Sequence, residues 1–331
     1  MGVILTGRAI GLVALLTGTA AAADPYLGSW GGQPTLRPSQ GMSYASADDT
    51  VRLDASIGAA YIEGSEKVLV GNYTLSHLIW QSVTPVLRGS ISVDVGGGFN
   101  VRAEGSVAAF GRSYMEDYDW QKGDNTFDNW SHRSQHPDTN LDHFYTGGAS
   151  LGYEIVKDDT AVVRAHGGFK YTDVKWSAYG GSYVYSSNGG FRDVSGSIAD
   201  GTPGISYRQQ FPELFLGIDG EERYGDVRVG GLLRGGMTFL SVSTDDHWLR
   251  NLRFVDTLRI APTFTAGMDV GYALGRNAEL TISARYDHIF EARGDTQYYN
   301  IASGASTGNA TDAAGGGMRS AEITTGLHGS F

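Results

Sequence analysis

The sequence has no cysteine in its 331 residues, so it holds neither a disulfide framework nor a thiol nucleophile. Beyond its first two dozen residues it lacks any long apolar run. A helix that crosses a bilayer needs about 20 such residues, so a helical membrane protein is excluded. No His-Glu-x-x-His string is present, which removes the commonest zinc-peptidase signature. Basic residues are also in short supply, 25 against 36 acidic ones, for a formal net charge of −11. That balance argues against nucleic acid as a partner and suits basic peptides.

What is present begins with a secretory signature. Arg8 supplies the positive start, Ala9 to Leu16 form a short apolar core, and Thr19 to Ala23 offer small-residue cleavage sites before Asp24. The apolar stretch is too short for a retained anchor, so residues 1–23 are expected to be a cleaved signal peptide. Residues 24–50 then form an extension leading into a single domain over 51–331.

Glycine reaches 48 residues and Phe, Trp and Tyr together 11%, while the mean hydropathy is slightly negative. Strands with one lipid-facing apolar side and one polar lumenal side have this composition. Alternation of period two recurs. Phe99, Val101, Ala103, Val107 and Ala109 share one face, and Asn100, Arg102, Glu104 and Ser106 the other. Leu280 to Tyr286 repeats the pattern, as does the terminal stretch Ala321, Ile323, Thr325, Leu327, Phe331. A soluble sandwich could carry one such strand, but the signal, the glycine and the terminal aromatic favour an outer-membrane barrel.

Tight turns fit Gly96 to Gly98, Lys157 to Asp159, Asp219 to Asp226 and Gly275 to Asn277. Long polar loops fit 113–143, 180–205 and 294–318, with shorter ones at 64–72 and 243–252. Four turns and five loops connect ten antiparallel strands, an all-β barrel with both termini inside and every long loop outside. Trp80, Trp176 and many tyrosines are expected as interfacial anchors. His166 and His328 are expected as hydrogen-bonded lumenal groups. His136-Pro137-Asp138 is read as shaping its loop.

The outer loops hold the residues with chemistry to offer. Asp117 and Asp119 open the longest, and Asp245-Asp246-His247 lies in the fourth. Residues two apart on an extended chain point the same way, so Asp117 can pair with Asp119, and Asp245 can orient His247 as a general base. Acidic loops also occur merely solvated or holding calcium, and these residues alone leave that open. One geometric demand follows. Counted from Phe99, odd positions face lipid, so a bulge or loop must intervene before Asp117.

The run Met115-Glu116-Asp117-Tyr118-Asp119-Trp120, with Trp130 and Ser134 to Leu141, resembles the omptins. So do Gly180 to Ser187 and Gly190 to Ser197, and the likeness extends from about Ala55 to Phe331. The resemblance implies a ten-stranded outer-membrane aspartyl-type endopeptidase with its active site facing outside, acting on peptides or proteins without cofactor or metal. It assigns catalysis to Asp117, Asp119, Asp245 and His247, with a water between the Asp-Asp couple and the His-Asp pair. It assigns Glu66 to the pocket for a basic P1 side chain. Ser243 and His132 stand where the family carries further acids, so a weakened basic preference is expected. It also implies activation by lipopolysaccharide through Tyr171, Asp173, Lys175 and Arg259, with Gln210 in place of an arginine and Arg208 nearby. An ordinary girdle with snorkelling cations is the alternative at that surface. For the whole chain the rival is a non-enzymatic barrel, a narrow pore or an adhesin.

Overall fold

The computed structural model describes residues 50–121 and 126–331, so the expected signal peptide and residues 24–49 of the expected extension lie outside the described residues. The described chain is built of antiparallel strands: β1 Val51–Val70, β2 Tyr73–Gly96, β3 Phe99–Ala108, β4 Arg112–Asp119, β5 His132–Lys157, β6 Ala161–Tyr185 and β7 Val194–Tyr224. They continue with β8 Val227–Thr238, β9 Ser241–His247, β10 Leu252–Leu258, β11 Pro262–Ala273, β12 Ala278–Asn300 and β13 Ser306–Ser330. β3 with β4, β8 with β9, and β10 with β11 each form one interrupted stave, so the sheet has ten staves. It closes where β1 pairs with β13, Arg52 opposite Ser330. Closure removes the unpaired edge that a bilayer would not tolerate.

The alternation read from the sequence is the barrel's two faces. Leu87, Ile91, Val101, Leu151, Leu216, Ile323 and Leu327 are exposed outward. Between them, Arg88, Arg102, Glu104, Arg164, Arg234, Arg285 and Glu322 point into the lumen. His166 and His328 are there too, hydrogen-bonded as expected: Arg234 Nε donates to His166 Nε2 at 3.0 Å, and His328 Nδ1 lies 2.7 Å from Asp54.

The stretches expected to be long loops are mostly strand. β5 starts at His132, β6 runs to Tyr185, β7 starts at Val194 and β12 reaches Asn300. The outer connections shrink to 71–72, 120–131, 186–193, 248–251 and 301–305, and the expected turn over Asp219 to Asp226 is only Gly225-Asp226. The physical reason is that above the bilayer both sheet faces meet water or polar groups. The hydrophobic alternation fades there while the backbone ladder continues.

Trp80 and Trp176 are not interfacial anchors. Both occupy inward, even-numbered positions and are wholly buried; Trp80 stacks on Trp176 at a ring separation of 6.0 Å and on Tyr207 at 5.8 Å. Gly64 leaves the space, since a Cβ there would meet the Trp176 ring at 2.8 Å. This aromatic floor divides the lumen into a lower charged half and an upper mouth.

The bulge demanded before Asp117 is present. From Ala108 to Arg112 the chain advances four residues while its partner β2 advances three, from Val86 to Val83. The extra residue is taken up at Phe110 and Gly111, with φ of 72° and 97°. The stave of β8 and β9 repeats the device: Thr238 to Val242 spans four residues against Glu213 to Gln210, with Leu240 at φ 50°. Each bulge flips the parity, so odd residues above it face the lumen. Phe110 and Leu240 are themselves exposed apolar residues at the top of the lipid-facing band.

Candidate active site

The two parity flips deliver Asp117 and Asp119 on β4, and Asp245 and His247 on β9, to the same lumenal mouth. β5, β6 and β7 separate the two staves, so the pairs face each other across the opening. Ser76 on β2 donates to Asp117 Oδ1 at 3.0 Å and lies directly opposite Asp119, its cross-strand partner. On the opposite side His247 Nε2 donates to Asp245 Oδ2 at 2.6 Å, leaving Nδ1 as the ring's acceptor.

Electrostatics link the two sides. Burial, and then the Asp119 charge, push Asp117 up to about 8 against the opposing pull of His247 and Ser76. Burial also raises Asp119, which Ser76, His132, His247 and Arg250 restrain. For His247, burial works downward, but the Asp245 carboxylate and then Asp117 outweigh it, so the imidazole is held above its ordinary range. Two adjacent carboxyls that resist joint ionisation, facing a carboxylate-held imidazole, can hold a water and move its proton.

Beneath the dyad lie Glu66 on β1 and Ser243 on β9, both buried. Burial raises Glu66 well above a normal carboxylic acid, and Asp245 and Asp256 raise it further. His132 sits at the cross-strand partner position of Asp119, with Ser131 Oγ 3.0 Å from its Nδ1. His136, expected only to shape a loop, is a buried inward residue of β5 whose Nδ1 donates to the Gly180 carbonyl at 2.7 Å.

On the outer surface, Tyr171, Asp173 and Lys175 follow one another up β6 beside β7. Arg208 Nε donates to Asp173 Oδ1 at 2.9 Å, and His143 Nε2 lies 2.9 Å from the same oxygen. Gln210 donates to the Tyr171 hydroxyl at 2.6 Å. Arg259 turns to the other flank of β10, pairing with Asp312 at 2.5 Å and Asp295 at 3.6 Å.

Sequence reasoning missed Ser76, Tyr185, Arg250 and Asp256. Tyr185 ends β6 beside Asp117 and Asp119; burial and their charges push its hydroxyl up to about 12. Two Gly-x-Ser-x-Gly strings, 148–152 and 304–308, do match a hydrolase spelling. The first runs mid-strand in β5 and the second enters β13, so neither makes the strand-turn-helix elbow that exposes a nucleophile.

A closed barrel with an Asp-Asp couple facing a His-Asp pair at its mouth is an arrangement able to hold a water and accept its proton. The omptin sequence profile matches residues 47–331, and the chain belongs to the omptin family of outer-membrane proteases. It is similar to plasminogen activator of Yersinia pestis, 28% identical over 78% of this chain and 81% of the relative. Protease 7 of Escherichia coli K12 is 26% identical over 76% and 81%. The crystal structure of outer membrane protease OmpT from Escherichia coli superposes with a TM-score of 0.80 at 24% identity, covering 86% of this chain and 98% of that one.

Proposed function

We propose that this barrel is an endopeptidase in which a water between the two walls attacks the scissile carbonyl. The observation that carries the reading is the placement of the aspartate couple and the His-Asp pair opposite one another, each felt electrically by the other. The free nitrogen of His247 takes the water proton as oxygen bonds to the carbonyl carbon. Asp245 fixes the tautomer and steadies the imidazolium. The protonated member of the couple donates to the oxyanion, and His247 returns its proton to the departing amine nitrogen. Glu66 supports a preference for basic P1 residues. A pore is disfavoured because Trp80, Trp176 and Tyr207 stack across the lumen.

Lipopolysaccharide is proposed as an activator, bound beside Tyr171, Lys175 and Arg208, where half-exposed cations lie above the lipid-facing band. The test is a peptide library offered to the refolded barrel with and without lipopolysaccharide. Wild type should cut, and cut faster with the lipid. A folded wild type that cuts nothing under either condition would overturn the reading.

A further inference from the structure

The hairpin of β9 and β10 sets Ser243 directly opposite Asp256. Ser243 Oγ donates to Asp256 Oδ2 at 3.0 Å, and Thr296 Oγ1 donates to Oδ1 at 2.7 Å. Asp256 is only 4% exposed and Glu66 only 3%. The charged groups acting most strongly on Glu66 are Asp245, Asp256 and Asp117, all of them acids. Its Oε2 is buried with no donor, as is Oδ1 of Asp245. Asp245 already has His247, so among the described residues Glu66 and Asp256 remain as two buried carboxyls with no cation paired to them.

We propose that Asp256 is the second carboxylate of the pocket that receives a cationic substrate side chain, transposed across one strand pair from the position that Ser243 holds. The proposal rests on the peptidase reading and names the residue that sets its specificity. Burying an acid beside another acid is unfavourable unless a partner arrives, and an ammonium or guanidinium would satisfy both. Burial raises Asp256 to about 6, the condition of a carboxyl awaiting such a partner. Hydroxyls, by contrast, are what a carboxylate needs to be aimed without being neutralised. Ser243 and Thr296 supply one to each oxygen.

The test uses the refolded full barrel and p-aminobenzamidine, whose fluorescence rises on entering an apolar-walled site, with p-aminobenzamide as the neutral control. Wild type should bind the amidine in preference to the amide. Asp256→Asn should weaken amidine binding roughly tenfold to a hundredfold, the range for losing one hydrogen bond to a charge. Adding Ser243→Asp to that variant should restore most of it, which a structural role for Asp256 would not permit. Folding is read by heat-modifiable mobility, and Asp256→Ser replaces the asparagine variant if that one does not fold. Unchanged amidine binding in the folded variant, or no recovery in the folded double variant, overturns the proposal. Amidine binding that depends on Asp256 in a barrel that cuts no peptide would sink the peptidase reading and leave the pocket standing. Peptide cleavage with an arginine-over-citrulline P1 ratio indifferent to Asp256 would do the reverse.

Discussion

The lower and upper halves of the lumen are both rich in buried acids, and they treat them in opposite ways. Below the aromatic floor most of the buried acids sit against arginines. Glu104 meets Arg102 at 3.4 Å, Arg88 at 3.5 Å, Arg285 at 3.3 Å and, closest of all, Arg234. Asp287 is bound by Arg285 at 2.8 Å and Lys170 at 3.0 Å, and Glu279 by two arginines. A cavity of about 160 Å³ in this lower region is lined by the same kinds of pair. Above the floor, Asp117, Asp119, Glu66 and Asp256 stand among one another and hydroxyls, with His247 engaged to Asp245. Saturated charge fixes the barrel's shape. Unsaturated charge is stored for a substrate or a water.

The sharpest way to break this contrast is to remove groups from the mouth. His247→Ala or Asp117→Ala should leave the barrel folded and lower peptide turnover by about 10²–10⁴, the usual loss for a positioned base or acid. Steady-state cleavage by purified variants checks this, and wild-type rates would void the assignment. Next in size is an effect on stability with opposite signs in the two halves. Glu104→Gln strands several cations and should cost about 3–5 kcal/mol. Asp117→Asn relieves like-charge crowding and should be neutral or stabilising. Urea unfolding of the refolded barrels measures both, and a Glu104→Gln barrel as stable as wild type would remove the distinction.

Much of this was legible in the sequence, for reasons that can be named. The two-residue period survives wherever one face meets lipid, so ten staves could be counted. The parity conflict between Phe99 and Asp117 announced a bulge that Phe110 and Gly111 supply. Where both faces are wet the period vanishes, and strands such as the start of β5 and the end of β12 read as loops. Trp80 and Trp176 were misplaced because aromatic content was weighed ahead of parity. Asp256 was hidden because its partner depends on the turn: four residues, 248–251, between β9 and β10 set 243 opposite 256. With the loop assumed to begin at 243, that arithmetic had no starting point.

A smaller difference separates the mouth from the outer surface, where cations are exposed and already lightly paired. Lys175 lies 3.5 Å from Asp142, and Arg208 is held by Asp173. Lys175→Ala with Arg208→Ala should raise the lipopolysaccharide concentration needed for half-stimulation about tenfold, as for a lost charge-assisted contact. Arg259→Ala should do less, because Asp312 and Asp295 already occupy that guanidinium. Equal stimulation of wild type and the double variant would remove the surface site.

The finest distinction lies within the mouth, between the group that must lose a proton and the group that must keep one. His247 acts as a base only when neutral. Asp245 and Asp117 outweigh the downward push of burial, so the rise of kcat/KM with pH should fall above the ordinary imidazole value of about 6.5. Asp117, raised to about 8 by burial and by Asp119, donates to the oxyanion only while protonated, so activity should decline as pH passes that region. The profile should therefore be a bell whose two apparent values belong to the interacting groups together. Asp119→Asn removes the like charge that helps hold the proton on Asp117. Its residual activity should lose the alkaline side first, with that limb moving down by on the order of one unit. Asp245→Asn removes the carboxylate that holds His247 up and should move the acid limb down instead. Profiles recorded for the two variants on one peptide separate the roles. An alkaline limb that stays fixed in Asp119→Asn would mean that another group, with Tyr185 the nearest alternative, supplies the proton.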